Sequence, residues 1–434
     1  DFVTTLLEKY CSEAKIVFDP FAGTGTTFFA ADLKGLRSFY SEVNPFLVFL
    51  AKVKIQILLM NKASRLELLS DLERISANVF KFLDDTPEDL RLKNNYCVIF
   101  GKSKYYDDLT FSKILRLRCL IDRIYEEKPA AADALEVSVL SILLKVSCLK
   151  KAGDVRFKTA KERENEIFNI DEELALKIKE MLSDIANLDF CLKHKPEFLL
   201  YNSKKIGLLQ HLNIDAVITS PPYLNGTNYL RNTKIELWFL RCLQEAHDLR
   251  GYRDQIVTSG INDVRAHAGE SLKELNDIES PLLKKTLKEL KEKTYDHRIP
   301  IMIDSYFHEM HSVFNGLKKH LSPNSRVLID IVYSIFAGVH VKTDDILIEV
   351  LGNVGYQLIE KVLLRKRRSR DKSILSQVLL VFQIAPSTKP SIQLAQNSYY
   401  WKNEWVQFKK TLPHQKGAYL KKNWGHPNHS LCSY

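Results

Sequence analysis

The sequence predicts an α/β protein: an open sheet of nucleotide-binding type, closed by an antiparallel pair and interrupted by a mostly helical insertion. Three observations carry this prediction. The apolar stretch Lys15-Ile-Val-Phe-Asp19 runs into a glycine turn (Gly23, Gly25) and a helix start at Thr26. A second strand pattern, 37–42, ends at Glu42, so strand, glycine loop, helix, strand and acid follow in the order of the front half of such a sheet. From about 61 to 189 the pattern changes, and apolar residues recur at helical spacing, as in Leu66, Leu69, Leu72 and Ile75. Near the end, the β-rich runs 356–364 and 377–384 read as the closing antiparallel pair.

The remaining elements follow in order. Asn44-Pro45 opens a helix after the second strand. The charged end of the helical insertion, 158–185, reads as a solvated helix pair. The α/β pattern returns with Phe198-Leu-Leu-Tyr201 and with the strand entering Thr219-Ser-Pro-Pro-Tyr223. Residues 234–240 read as a helix with Trp238 in the core. A second polar insertion spans 244–300, and its lysines (Lys284, Lys285, Lys288, Lys291, Lys293) alternate with acids as on an ordinary exposed helix. A helix over 304–321, a strand over 326–332 and a helix near 344–353 lead to the closing pair.

Composition bounds the answer. Of 434 residues, 45% are hydrophobic and 27% charged, which excludes wholesale disorder. With only 16 Gly and 14 Pro, a turn-rich all-β protein is disfavoured. The greasiest stretch, 38–60, is broken by Glu42, Lys52 and Lys54, so no membrane span is expected. The formal charge of +10 suits a polyanionic partner, although many ordinary proteins share it. Seven scattered cysteines without a CxxC argue against disulfides or zinc and for a reducing cytosol. His426 and His429 lack the companions of a metal site. The chain begins at Asp1 without a methionine, which reads as a piece of a longer product.

Two loops carry chemistry. Gly23 and Gly25 let backbone approach a ligand closely. Phe28 stands where a dinucleotide fingerprint has its third glycine, and there is no Walker lysine, so a pyrophosphate is disfavoured. A ligand with a nucleoside and a carboxylate but no phosphates fits better, namely S-adenosylmethionine (SAM). Glu42, at a strand's carboxyl end, is placed to accept hydrogen bonds from both ribose hydroxyls. The plainer alternative is a turn glycine pair and a surface glutamate. In the second loop, Pro221 and Pro222 fix φ and donate nothing, holding the Ser220 and Pro221 carbonyls outward beside the ring of Tyr223. That arrangement presents acceptors to an amine and a face to a ring; its plainer alternative is a rigid surface turn.

Together, DPFAGTGTT with SEVNP and then ITSPPY resemble the SAM-dependent DNA amino-methyltransferases, which modify N4 of cytosine or N6 of adenine. The resemblance covers roughly 1–60, 198–240 and 304–385. It implies a Rossmann-like SAM-dependent methyltransferase sheet, with 1–60, 196–243 and 301–385 as the catalytic domain. It leaves 61–195 as a helical insertion, 244–300 as a second insertion and 386–434 as a basic aromatic tail. Carried over, Asp19, Phe21, Ala22, Gly23, Thr24, Gly25 and Thr26 line the cofactor site, Glu42 is its ribose acid, and Ser220, Pro221, Pro222 and Tyr223 form the catalytic loop, with Ser220 also beside the cofactor. Where many relatives have an acid near the adenine, this chain has Asn202-Ser203, and Asn202 takes that place.

The implied reaction is methylation of an exocyclic base amine. The Ser220 hydroxyl and the Pro221 carbonyl accept its N–H groups, and the target flips out of a duplex to meet Tyr223. No Pro-Cys exists, which disfavours carbon-5 chemistry. Ser in the first motif position tilts the expectation toward cytosine N4. Adenine N6, an RNA base amine and a catalytically silent DNA-binding subunit stay as alternatives. Target recognition falls to 61–195 or 244–300, and a restriction-system partner in a prokaryotic cytosol is implied. For nucleic acid, Asn225 is a candidate contact, with Asn228 and Tyr229, against plain helix capping. The run Lys361, Arg365, Lys366, Arg367, Arg368, Arg370 and Lys372 is expected to gather phosphate-contacting charges in the loop joining the closing pair. The tail interleaves lysines with Trp401, Trp405 and Trp424, suiting nucleic acid or docking on the domain, and Tyr434 is expected near the crevice.

Overall fold

The computed structural model describes residues 2–152, 154–165, 168–224, 229–264, 278–368 and 374–384. Its strands are β1 (Ile16–Asp19), β2 (Arg37–Tyr40), β3 (Leu149–Ala152), β4 (Asp154–Phe157), β5 (Glu197–Phe198), β6 (Ile214–Thr219), β7 (Leu321–Val332), β8 (Ser334–Phe336), β9 (Val339–Val341), β10 (Tyr356–Arg368) and β11 (Ile374–Ile384). Seven of them form one sheet in the order β10-β11-β7-β6-β1-β2-β5. β7, β6, β1, β2 and β5 run parallel. β11 runs antiparallel to both β7 and β10, so the expected closing pair is present. The strand order reverses between β1 and β6, and a crevice is expected there, outside the strands' carboxyl ends.

Alternation along the central strands divides their side chains between two covered faces. Val17, Ala216, Ile218 and Leu328 pack with Leu6, Leu7, Ala30 and Ala31 on one face. Phe18, Val217, Val327 and Ile329 point to the other, against the apolar stripe of the helix Arg298–Lys318 (Met302, Tyr306, Phe307, Met310, Val313, Phe314). That helix starts before the expected position 304 and stops at Lys318 because the chain turns directly into β7. Gly316 on it and Gly207 on the short helix Ser203–Leu208 touch backbone to backbone: a Cβ on Gly207 would lie 2.9 Å from the Gly316 Cα. The strand expected over 198–201 is only Glu197–Phe198, after which the chain tightens into that short helix. The helix Pro281–Lys293, within the polar insertion, turns Leu283 and Leu290 into the same core as the sheet.

The helices Lys62–Asp84, Leu90–Phe100, Asp108–Glu127, Pro129–Ile142 and Ile170–Ala186 build a separate core around Leu72, Leu92, Ile114, Leu117, Leu135 and Val139. Asn61, Asp89, Asp107 and Asn169 each cap a helix start by accepting a backbone N–H. The expectation of a solvated helix pair over 158–185 is corrected here. Ala160–Asn165 buries nothing, but Ile170–Ala186 buries Ile170, Leu174, Ile178 and Ile185, which recur on one face at helical spacing. The β3–β4 hairpin was not foreseen.

The segment after the proline loop is sunk into this helical core. Ile235, Trp238, Phe239 and Leu240 belong to it, Trp238 fully buried, with its indole N–H donating to the Leu92 carbonyl at 3.0 Å. Beside them lies a buried ion cluster. Arg241 pairs with Asp89 and with Asp122 (2.6 Å), and Arg118 pairs with Asp122 (2.9 Å) and with Glu136. Among the described residues no helix is long and apolar enough to cross a membrane, and no group of three or more residues has the makings of a metal site.

Candidate functional site

The glycine turn follows β1 directly. Gly23 and Gly25 have φ of +56° and +93°, a backbone region that L side chains rarely adopt. At Gly25 a Cβ would also collide with the Phe28 ring, 2.0 Å away. The turn is closed by Gly25 N–H donating to the Ala22 carbonyl at 2.8 Å, and Thr26 begins the helix Thr26–Leu33. Asp19, at the end of β1, organises it. Its carboxylate accepts from the Phe21 N–H (3.0 Å), the Thr27 hydroxyl (2.6 Å) and, across the sheet, the Thr219 hydroxyl (2.7 Å). Asp19 is buried, and burial pushes its carboxyl up despite these three donors. It therefore ties the glycine turn to β6, the strand that delivers the proline loop, with three donors of the protein on its two oxygens.

Glu42 is buried at the second corner. Its Oε2 accepts the Gly23 N–H at 2.9 Å and its Oε1 the Asn44 N–H at 2.8 Å. Burial pushes its carboxyl up to about 7; the backbone donors pull it down, and the Asp19 charge adds a smaller push upward. Each carboxylate oxygen retains a second lone pair for a ligand hydroxyl. Asn44 caps the helix Pro45–Leu59 through its carbonyl, while its amide donates to the Thr233 hydroxyl at 2.9 Å. The acid's corner is thus linked to the segment beyond the proline loop.

Both turns open into one cavity of about 250 Å³. From the first turn come Pro20, Phe21 and Gly23; from the acid's corner Glu42, Val43 and Asn44; from the proline loop Ser220, Pro221, Pro222 and Tyr223. Ser220 is exposed at its edge and Pro221 buried. The Tyr223 hydroxyl donates to Asp330 on β7 at 3.2 Å, and Gln377 on β11 holds both Asp330 oxygens at 2.9 and 2.8 Å. That chain of contacts fixes the ring's direction.

Other expected residues lie elsewhere. Ala22, Thr24, Gly25 and Thr26 shape the turn without lining the cavity, as Asp19 does. Asn202 caps the helix Ser203–Leu208 by accepting from Lys204 N–H, and its neighbours Tyr201, Ser203 and Lys204 reach the cavity instead. Ser203 is itself held by donating to the Pro20 carbonyl at 2.5 Å. Asn225 lies outside the described residues, as do Asn228, Arg370, Lys372, the tail with its tryptophans and Tyr434, and the side chains of Tyr229 and Arg367.

The basic run is a correction. Lys361, Arg365, Lys366, Arg367 and Arg368 sit on β10 itself and not in the loop that follows. Arg365, Lys366 and Arg368 are exposed, whereas Lys361 pairs with Asp344 and with Asp345 (2.7 Å). β10 runs parallel to β6, so its carboxyl end faces the same side as the cavity, but three strands away, about 14 Å at ordinary strand spacing.

Sequence reasoning missed the lining residues Gln255, Ile256, Val257 and Ser259, in the second insertion. Lys204 pins this segment: its Nζ donates to the carbonyls of Asp254 (3.2 Å) and Ile256 (2.8 Å) and to Glu309 (3.0 Å). No local pattern marks it, because a lysine distant in sequence holds it in place.

This chain is 24% identical over 388 residues to the type II methyltransferase M.AvaI of Nostoc sp. and to that of Anabaena variabilis, covering 84% of this chain and 77% of each relative. It is 23% identical over 409 residues to the type II methyltransferase M.BsoBI of Geobacillus stearothermophilus, covering 85% of this chain and 78% of that one. No family model and no solved structure matches the chain. The similarity to type II methyltransferases spans most of the chain.

Proposed function

We propose that the chain is a SAM-dependent DNA methyltransferase that acts on the exocyclic amine of a flipped base within a short recognition sequence, with cytosine N4 as the target. One observation carries this reading: the glycine turn with its acid and the double-proline loop open into the same cavity.

The residues present fit the cofactor. Gly23 leaves open space where a side chain would stand, Phe21 and Pro20 offer an apolar surface, and Glu42 keeps acceptor capacity for two hydroxyls. When bound, SAM supplies a methyl group on a positively charged sulfur. The protein's part is positioning. Ser220 Oγ and the Pro221 carbonyl accept the amine's N–H groups and turn its lone pair toward the methyl, without a covalent link to the enzyme. Tyr223, braced by Asp330, offers its ring for stacking to the extruded base. Similarity to type II methyltransferases supports a restriction-modification context, and the insertions 61–195 and 244–300 are the candidates for reading the target. The fold supports the same reading: counted along the chain, the sheet strands lie in the order 3-2-1-4-5-7-6, a doubly wound arrangement with its crevice at the β1–β6 reversal.

The test is to hydrolyse DNA from a host expressing the chain to nucleosides and separate them by mass. N4-methylcytosine supports the full proposal. N6-methyladenine keeps the enzyme class and corrects the base. Unmodified DNA alongside methylated RNA would replace the substrate.

A further inference from the structure

Three basic elements pack together beside residues that line the cavity. The helix Tyr229–Asn232 gives Leu230 to the cavity wall, and the next residue, Arg231, is exposed. Lys234 follows within one helical turn, half-buried, its Nζ 4.8 Å from the Phe100 ring centroid. The helix Asp248–Arg253 packs on that element through Leu230, Leu249, Tyr252 and Ile256. It ends at Arg253, two residues before the wall residue Gln255. The β3–β4 hairpin docks on the same element: Val155 N–H donates to Asn232 at 3.0 Å, and Lys151 stands exposed beside the hairpin tip.

Acids reach this cluster at its margins: the buried Glu236 lies in the field of Lys151, and Asp154 approaches Arg231 at 4.0 Å. Among the described residues, neither Lys234 nor Arg253 forms an ion pair with a carboxylate. Asp248 is turned to the backbone N–H groups of Gln244 and Glu245, and Asp263, within the field of Arg253, is itself buried. Burial and the charges of Arg231 and Arg253 hold the Lys234 ammonium below its ordinary pKa, so the cations crowd one another. A phosphate between them relieves that repulsion and exchanges it for charge-assisted hydrogen bonds. Phosphates flanking a flipped base must pass close to the cavity that receives it, and the lining residues Leu230 and Gln255 stand one and two positions from Arg231 and Arg253.

We infer that Lys151, Arg231, Lys234 and Arg253 form a phosphate-binding edge that holds the backbone of the DNA strand carrying the target base. The inference rests on the methyltransferase reading and deepens it.

The test measures duplex binding by the purified chain against sodium chloride concentration, for wild type and for the triple variant R231Q/K234Q/R253Q, with calorimetric SAM titration of both. Three lost phosphate contacts reduce the slope of log K against log salt by about 3 and weaken binding by about 100- to 1,000-fold at 0.1 M salt, while SAM affinity is unchanged. K234Q and R253Q alone, each reducing the slope by about 1, keep the test open if the triple variant does not fold. A triple variant that binds SAM and shows the wild-type slope overturns the assignment, as does a loss found only in R365Q/K366Q/R368Q on β10. A wild-type chain that binds SAM but no duplex is a different result: it removes the function reading and this edge with it.

Discussion

Replacing Glu42 by glutamine keeps the side chain's shape and removes its charge, which separates the ligand's demand on this residue from the fold's. The Glu42 carboxyl is pushed from its ordinary 4.5 to about 7, so keeping it ionised inside the protein costs about 3 kcal/mol at pH 7 and above. Glutamine removes that cost but turns an NH2 toward either the Gly23 or the Asn44 N–H, stranding one buried donor at about 1–3 kcal/mol. The two effects offset within about 2 kcal/mol, and the ligand-free melting temperature moves by only a few degrees. Cofactor binding has no such compensation. Two ribose hydroxyls lose charge-assisted acceptors worth about 1.5–3 kcal/mol each, so SAM affinity falls by more than about 100-fold. Between pH 4.5 and about 7 the folded wild type holds a proton that the unfolded chain has released, so its stability falls as pH rises through that window and levels off above it. SAM affinity instead strengthens toward pH 7 as the carboxylate ionises. In the E42Q variant the pH dependence of SAM affinity vanishes, and the fall in stability is reduced by the Glu42 share alone, because Glu236 and Asp263, whose carboxyls burial raises to about 7 and about 6, keep theirs. Calorimetric titration and thermal melts across pH 5–8 test this, and wild-type SAM affinity in E42Q would refute the reasoning.

Three further perturbations probe the rest of the site. Asp19→Ala strands the Phe21 N–H and the Thr27 and Thr219 hydroxyls in a buried place; urea unfolding is expected to show a loss of about 3–5 kcal/mol, and wild-type stability would show that Asp19 does not tie the turn to β6. Ser220→Ala, at the exposed edge of the cavity, is expected to lower kcat about 10- to 100-fold with SAM affinity within about twofold; an equal loss in SAM affinity would reassign Ser220 to the cofactor. Arg241→Met leaves Asp89 and Asp122 without their shared cation; unfolding is expected about 3–5 kcal/mol earlier, with faster hydrogen exchange in the helices Leu90–Phe100 and Asp108–Glu127, and unchanged exchange there would contradict the buried cluster's role.

What could be read from the sequence was set by short-range constraint. A glycine at positive φ, two prolines in a row and an asparagine before Pro45 restrict the chain wherever they stand, so the glycine turn, the proline loop and the helix cap were visible as local patterns. The closing pair was visible because Val378 to Phe382 is buried on both faces and reads as a continuous apolar run. Its partner β10 was cut short at 364, because an edge strand carries charges on its outward positions and those charges read as loop. The tie between Asp19 and Thr219 is not legible in the sequence, because the two lie 200 residues apart. The wall at Gln255–Ser259 escaped for the same reason, being held by Lys204 and Glu309. The burial of the helix Ile170–Ala186 is hidden by its many charged side chains, which flank its apolar face, and nothing local marks the Arg118–Arg241 cluster, whose partners are distant in sequence.

The central claim is that methyl donor and target amine meet in the one cavity shared by the two turns. It is tested most directly by incubating the purified chain with duplex DNA and SAM labelled in its methyl group, then locating the label. The account predicts label on an exocyclic base nitrogen of the DNA, strongly reduced in the S220A variant, which still binds SAM. A wild-type chain that binds SAM and duplex together yet leaves the label on SAM would contradict it.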